Sequence, residues 1–293
     1  MGGIVIDTVI GFIKNNNLSK TKRQTSRLFS KLFWFIFLSS FLSFGFSSSL
    51  YSTTYEFNNY STGESGSIQE WIVPATGDYE IEVWGARGGR GDKGNKDEAT
   101  LDSYRGKGAK MKGTFSLSEN EVIKIVVGQE GTVNTGGNDA NGGGAGGGGT
   151  FVWKHSGTSL LIAAGGGGGA SIVNVTNPQG QNGNIGTSGT SAISHTSALN
   201  QHGTNGSNGI NFQGEWHGGG TRGTGDAGKG WNSMKSGSFD GYTGGYGKKG
   251  GYGGGGQSLD HGGGAGGGYS GGGNGYYGSN HSKTTGGGGG GSY

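Results

Sequence analysis

Long glycine runs constrain this chain more than any other feature of its sequence. No Gly-X-Y period is kept and only two of 293 residues are Pro, which excludes a collagen helix. The 75 Gly are typical of low-complexity or disordered chains. Aromatic residues, however, make up 11% of the chain and include six Trp, whereas disorder depletes them. Seven runs, two of them broken by one Ala, cover residues 142–149, 165–169, 218–220, 253–256, 262–268, 271–273 and 286–291.

Such runs can be ordered if they pack against one another as extended left-handed helices. A helix of this kind has three residues per turn and rises ~3.1 Å per residue, so six glycines span roughly the length of a strand. Ordering the backbone costs ~1–2 kcal/mol per residue, and one lateral hydrogen bond returns only ~0.5–1.5 kcal/mol. We therefore expect a bundle of runs to be ordered only where a β scaffold anchors it.

A β scaffold is predicted over residues 50–135. In residues 78–84 three apolar side chains alternate with two Glu, which is the period of a half-buried strand. No helix is predicted beyond residue 50. We expect residues 50–135 and the glycine-rich residues 136–293, with their interleaved strands, to form one domain. The other predicted strands are residues 68–73, 110–117, 122–127, 150–154 and 159–164.

The first 49 residues have the order of a secretory leader. A basic stretch at residues 20–31 precedes an apolar block at residues 32–46, and three Ser follow the block. The block is shorter than the ~20 residues that span a bilayer as a helix, which favours a signal peptide cleaved near Ser49. An uncleaved signal-anchor is the alternative, because the basic region is long. Either version predicts a secreted or cell-surface protein.

Charge separates the leader from the rest of the chain. Six basic residues and one Asp lie in residues 1–49, which leaves 16 basic and 18 acidic residues beyond them. The glycine-rich body therefore lacks the basic surface that nucleic-acid binding requires.

Residues 68–89 carry a family resemblance. Their sequence, IQEWIVPATGDYEIEVWGARGG, resembles the opening of the glycine-rich extracellular region of the anaplastic lymphoma kinase and leukocyte tyrosine kinase receptors. The resemblance extends over residues 54–293. Later blocks that follow in the family's order are residues 113–131, 146–152, 160–170, 252–256 and 266–273.

This resemblance implies a mainly β fold, namely a tumour-necrosis-factor-like β-sandwich with an insert of packed polyglycine helices. It also implies binding of an extracellular protein ligand or cell-surface partner, with dimerisation on binding. Two departures from the family stand out: the chain has no Cys, and residues 50–293 contain neither a transmembrane span nor a kinase domain. Because the kinase motifs His-Arg-Asp and Asp-Phe-Gly are also absent, we expect no catalysis from this chain.

Few residues suggest a chemical site. No catalytic, cofactor or metal site is predicted, because the six His are scattered, no Cys is present, and Asp97, Glu98 and Asp102 suggest a solvated acidic loop. Arg90, Gly91 and Asp92 spell an integrin-type adhesion tripeptide. Candidate glycosylation sites are Asn59, Asn174, Asn205 and Asn280.

Aromatic residues between the glycine runs have two interpretations. They either wedge between the runs and stabilise them, which we favour, or form an exposed binding surface. These residues are Trp216, Trp231, Tyr242, Tyr246, Tyr252, Tyr276 and Tyr277.

Three functions remain open from the sequence. The first is a non-catalytic extracellular ligand-binding domain, whose ligand-binding residues no motif identifies. The second is a structural or adhesive cell-surface protein. The third is a truncated ectodomain of a receptor protein-tyrosine kinase, for which membrane attachment comes through the uncleaved leader or a missing C-terminal segment.

Overall fold

Eight strands make the chain mainly β. The computed structural model describes residues 2–9, 53–59, 63–91, 96–133, 142–172, 178–192, 202–209, 226–241, 249–258, 261–275 and 284–293. The strands are β1 (Gly3–Val9), β2 (Thr54–Asn58), β3 (Gln69–Ile72), β4 (Gly77–Trp84), β5 (Lys110–Leu117), β6 (Val122–Val126), β7 (Thr150–Lys154) and β8 (Leu160–Ala164). Two short helices, α1 (Glu98–Ser103) and α2 (Trp231–Met234), complete the described elements. Neither helix is long or apolar enough to cross a membrane.

The strands form two antiparallel sheets of four strands each. Sheet A has the order β2-β1-β4-β5, and sheet B has the order β3-β6-β7-β8. Six of the eight strands, β3 to β8, match strands predicted from the sequence to within a few residues. The mainly β fold class is therefore confirmed.

One hydrophobic core lies between the two sheets. Tyr79, Ile81 and Val83 of β4 are buried in it, together with Ile123 and Ile125 of β6. The predicted alternation is confirmed in β4, because its Glu side chains lie on the opposite face. There the Glu82 carboxylate lies 2.5 Å from the Lys110 Nζ of β5, and the Glu80 carboxylate lies 2.6 Å from the Lys112 Nζ.

Aromatic rings close one side of this core, where an edge strand of each sheet meets. The Trp71 ring of β3 lies 5.3 Å from the Tyr55 ring of β2 and 5.3 Å from the Tyr79 ring of β4. The Tyr79 hydroxyl donates a 2.7 Å hydrogen bond to the Ala75 carbonyl, and burial raises the pKa of this hydroxyl. The rings therefore join the two sheets through packing and a satisfied buried hydroxyl.

Four described elements, two strands and two helices, were not predicted as such. Strand β1 lies inside residues 1–49, which the sequence predicts as a leader, and β2 lies in the β-rich portion without having been predicted. The expectation of no helix is wrong for two short segments. Asp97 begins α1 as its N-cap, accepting a 2.9 Å hydrogen bond from the Thr100 amide, and a single turn of helix is too short to show a helical period in the sequence.

Candidate functional site

Backbone hydrogen bonds between glycine-rich segments form the largest distinctive feature of the described chain. The amides of residues 144–149 donate in turn to three neighbouring segments, residues 167–170, 129–132 and 253–256, at N···O distances of 2.7–3.1 Å. Each neighbour is bonded again after three residues. Residues 144–149 are thus bonded through their backbone to three separate segments.

Two further segments repeat this three-residue period. Residues 166–172 donate in turn to residues 261–267, 86–89 and 178–181 at 2.7–3.2 Å. Residues 263–269 likewise donate in turn to residues 285–291, 144–147 and 226–229 at 2.8–3.3 Å. We call residues 142–149, 165–172 and 263–269, together with the segments that are hydrogen-bonded to them, the glycine lattice.

Close approach of neighbouring backbones explains why these positions are glycine. A Cβ atom added to Gly147 would lie 2.5 Å from the Ala86 and Arg87 carbonyl oxygens, closer than real Cβ atoms approach. Residues 166–169 meet the same obstacle, each against a backbone carbonyl of another segment. None of residues 142–149 or 165–169 has a φ in the left-handed region. Lateral space, rather than special backbone conformation, therefore requires glycine here.

An aromatic cluster joins the glycine lattice to sheet B. We define it as Phe151, Trp153, Trp231, Phe239 and Tyr252, all of which are buried. The Phe151 and Trp231 rings stack at 5.7 Å, and the Trp153 and Phe239 rings stack at 5.3 Å. Burial, with the nearby Asp240 carboxylate, raises the pKa of the Tyr252 hydroxyl to about 12.

Trp231 and Tyr252 are buried, as the favoured interpretation expects, and their effect on stability stays a prediction. Trp231 begins α2, and its amide donates a 2.9 Å hydrogen bond to the Tyr269 carbonyl at the end of a lattice segment. The other five aromatic residues of that prediction, at positions 216, 242, 246, 276 and 277, lie outside the described residues.

A charged network crosses the loops that leave the sheets. The Glu130 carboxylate accepts 2.8 Å hydrogen bonds from Arg87 Nε and from an Arg105 terminal nitrogen. Arg105 is buried, its Nε donates to the Gly88 carbonyl at 2.6 Å, and its second terminal nitrogen lies 3.2 Å from the Asp102 carboxylate. Burial opposes ionisation of Glu130, but the groups that donate hydrogen bonds to its carboxylate, Arg87 and Arg105 among them, outweigh it and the pKa is lowered to about 2.

No feature of the sequence identifies this network as a unit. Glu130 is 43 residues from Arg87, and no short motif links them. The sequence instead predicts a solvated acidic loop at Asp97, Glu98 and Asp102. In the structure Asp97 begins α1, and Asp102 contributes to the network.

The adhesion tripeptide lies against the glycine lattice in its described part. An Arg90 terminal nitrogen lies 3.5 Å from the Glu98 carboxylate, and the Arg90 side chain is 22% exposed. Gly91 is buried, and a Cβ atom there would collide with the Ser171 carbonyl. Asp92 lies outside the described residues.

The candidate glycosylation sites are far apart along the chain, and the structure describes two of the four. Asn205 is exposed in a turn with a φ of 50°, and its carbonyl accepts a 2.9 Å hydrogen bond from the Asn232 side chain. Asn59 follows β2 and is half-buried. Asn174 and Asn280 lie outside the described residues.

Clusters of metal-binding side chains do not occur in the described part of the chain, where no three His, Cys, Asp or Glu side chains come together. His261 is buried. The lattice and the aromatic cluster are both largely buried, so they form a rigid scaffold beneath the surface. No model of a known protein family matches the chain.

Proposed function

We propose that this chain is a non-catalytic extracellular domain that binds a protein partner. The observation that carries the proposal is the glycine lattice, in which residues 144–149 are bonded to three separate segments. Residues 144–149 are themselves buried, so the lattice acts as a rigid support. Surface segments fixed on such a support lose little conformational entropy on association, which favours protein binding. The resemblance of residues 68–89 to the glycine-rich region of the two receptor kinases supports the same function.

The finer fold is part of this proposal. We take the lattice segments to be polyglycine helices of the extended left-handed type, because such helices have three residues per turn and would bond each neighbour at every third residue. We take the two sheets to be a tumour-necrosis-factor-like sandwich that carries these helices. The shared core of the sheets and the direct passage from β8 into residues 165–172 support this assignment.

A second candidate is a structural or adhesive cell-surface protein. The same lattice favours it, because a bundle held by backbone bonds can serve as a rigid spacer without any specific ligand. The two functions predict a different dependence on protein concentration. The amount bound to a partner reaches saturation as the concentration rises, whereas the amount attached through self-assembly does not.

Cell binding separates these two candidates. The full chain, purified and fluorescently labelled, would be titrated onto living cells of the organism that makes it. We expect saturable binding that an excess of unlabelled chain displaces and that protease treatment of the cells abolishes. Non-saturating attachment, together with growing assemblies in sedimentation experiments, would instead establish the structural function.

Lattice variants connect the binding to its structural basis. Gly147→Ala should abolish saturable binding, because it disturbs the lattice. Gly77→Ala is the matched control and should bind normally, because a Cβ at Gly77 meets no atom within 4 Å. Equal binding by both variants would remove the lattice as the basis of the function.

The size of the native polypeptide tests the receptor alternative. An antibody against residues 68–84 would be used to measure the size and membrane partitioning of the protein in its own cells. A soluble species near 29.6 kDa, allowing for processing and glycans, supports a separate secreted domain. A much larger membrane-bound species would make this chain one ectodomain of a receptor.

A further inference from the structure

Strand β1 occupies an interior position in sheet A. Its residues pair antiparallel with β2 from Gly3↔Asn58 to Asp7↔Thr54, and with β4 along its whole length. Within the described sheets, β2 pairs with no strand other than β1. Removing β1 would therefore detach β2 from the sheet and leave a new edge on β4.

The side chains of β1 are also part of the main core. Ile4 is 1% exposed and Ile6 is not exposed, and both belong to the cluster that unites the two sheets. Val5 lies between them on the other face, opposite Glu56 of β2 and Glu82 of β4. This alternation is what a strand with one buried face requires.

Packing extends to the residue before the strand. A Cβ atom at Gly2 would lie 2.6 Å from the Gly128 carbonyl and 3.0 Å from the Trp84 carbonyl. Gly128 follows β6 and Trp84 ends β4, so both lie where the sheets pass into the glycine lattice. The chain therefore enters β1 through a space that admits only glycine.

We infer that residues 2–9 are retained as a structural strand of the folded domain. This inference goes beyond the proposed function and does not depend on partner binding, but an extracellular location would then require an export route other than a leader cleaved near Ser49. It is incompatible with a mature chain that begins near Ser49, because such a chain would lack β1. It also places Asp7 and its partner Thr54 on the same side of any membrane, so a single crossing between them would separate two paired strands.

An engineered disulfide tests the pairing directly. The chain has no Cys, so Val5→Cys combined with Glu82→Cys creates the only thiol pair in the molecule. The full chain would be expressed with its own first residues, purified without reductant, and analysed by intact mass and peptide mapping. We expect residues 1–9 to be present and peptides carrying positions 5 and 82 to be disulfide-linked, while single-Cys variants keep free thiols.

Either of two results would overturn the inference. One is a mature chain that begins near residue 50 and carries a free thiol at position 82. The other is an intact double variant that remains unlinked under oxidising conditions. Neither result bears on saturable cell binding, so failure here is distinguishable from failure of the proposed function.

A matched pair of Lys variants provides a second measurement. Ile6→Lys places a charge in the core, whereas Val5→Lys places the same charge between Glu56 and Glu82 on the outer face. For a cleaved leader the two changes are equivalent additions to its basic region. We expect Ile6→Lys to lose cooperative unfolding and Val5→Lys to retain it; two purified variants with wild-type melting temperatures would refute retention of β1.

Discussion

Gly147→Ala is the sharpest test of the glycine lattice. In the wild-type protein the Gly147 amide donates a 2.8 Å hydrogen bond to the Gly167 carbonyl, and the Gly147 carbonyl accepts a 3.0 Å hydrogen bond from the Gly267 amide. A new methyl group would lie 2.5 Å from the Ala86 and Arg87 carbonyl oxygens. Because φ at Gly147 is not in the left-handed region, Ala is acceptable there in conformation and unacceptable only in space.

The expected loss of stability is the sum of two destabilising effects and one stabilising effect. Overpacking a close-packed site costs ~1–3 kcal/mol, and weakening either of the two hydrogen bonds costs up to ~0.5–1.5 kcal/mol. Replacing Gly with Ala also restricts the unfolded chain, which returns ~0.4–1 kcal/mol. With both bonds weakened, the middle of these ranges gives a fall in the free energy of unfolding of about 3 kcal/mol.

Thermal and denaturant unfolding of the purified full chain would measure this loss. For a protein of this size the melting temperature should fall by roughly 5–15 °C, at ~2–4 °C per kcal/mol. The control is Gly77→Ala at the start of β4, where a Cβ meets no atom within 4 Å and stability should stay unchanged or rise slightly. Unfolding free energies of the two variants that agree within about 0.5 kcal/mol would refute close packing of the lattice.

Two further predictions concern the aromatic cluster and the charged network. Trp231→Ala should lower the unfolding free energy by ~3–5 kcal/mol, because it leaves a cavity where a buried ring was packed. Ile185→Ala is the control: this side chain is 72% exposed, so its loss should change the unfolding free energy by less than ~0.5 kcal/mol. Denaturant unfolding would measure both variants, and a Trp231→Ala protein of normal stability would contradict the packing role. Glu130 has its pKa lowered from 4.5 to about 2, so its stabilisation, up to about 3 kcal/mol, is complete above pH ~4.5 and lost as the pH falls toward ~2. Glu130→Gln should therefore flatten stability between these pH values relative to wild type, and an unchanged acid-unfolding profile would count against it.

Much of the β scaffold was predictable because its signals are local. In β4 and β5 apolar and polar side chains alternate along one strand, and this period is visible without any knowledge of the partner. Strand β1 shows the limit of that approach. Its Ile4 and Ile6 alternate in the same way, but they precede a basic stretch and an apolar block whose order predicts a leader, and only the pairing with β2 and β4 identifies a strand.

The type of candidate site could be predicted from the sequence, but the pairing of its segments could not. Glycine runs bonded through their backbones were expected, and burial of aromatic residues between them was favoured. Which segments pair could not be predicted, because a run of identical residues without side chains carries no register. The charged network could not be predicted either, since Arg87, Arg105 and Glu130 come from three separate loops.

Pairing in the glycine lattice continues the pairing of the strands that enter it. Thr150 of β7 faces Ala164 of β8. Three residues beyond each, Gly147 donates to Gly167, and three further on Gly144 donates to Ala170. The same continuation leads from the pair Val126↔Phe151 to residues 129 and 148. It also leads from the Gly85–Ala109 hydrogen bond, next to the pair Trp84↔Lys110, to residues 88 and 106.

This continuity explains how segments without side chains acquire a single register. A slip of three residues between two glycine runs would restore the same backbone bonds, so the runs alone do not favour one pairing over another. The same slip in β7 and β8 would exchange Phe151 and Val152, whose side chains pack in the aromatic cluster and the main core, for residues that do not fit. Because residues 142–149 lead directly into β7 and residues 165–172 lead directly out of β8, the side chains of the sheet specify the register of both runs. The glycine lattice therefore extends the order of the sheets into a backbone that could not specify its own pairing.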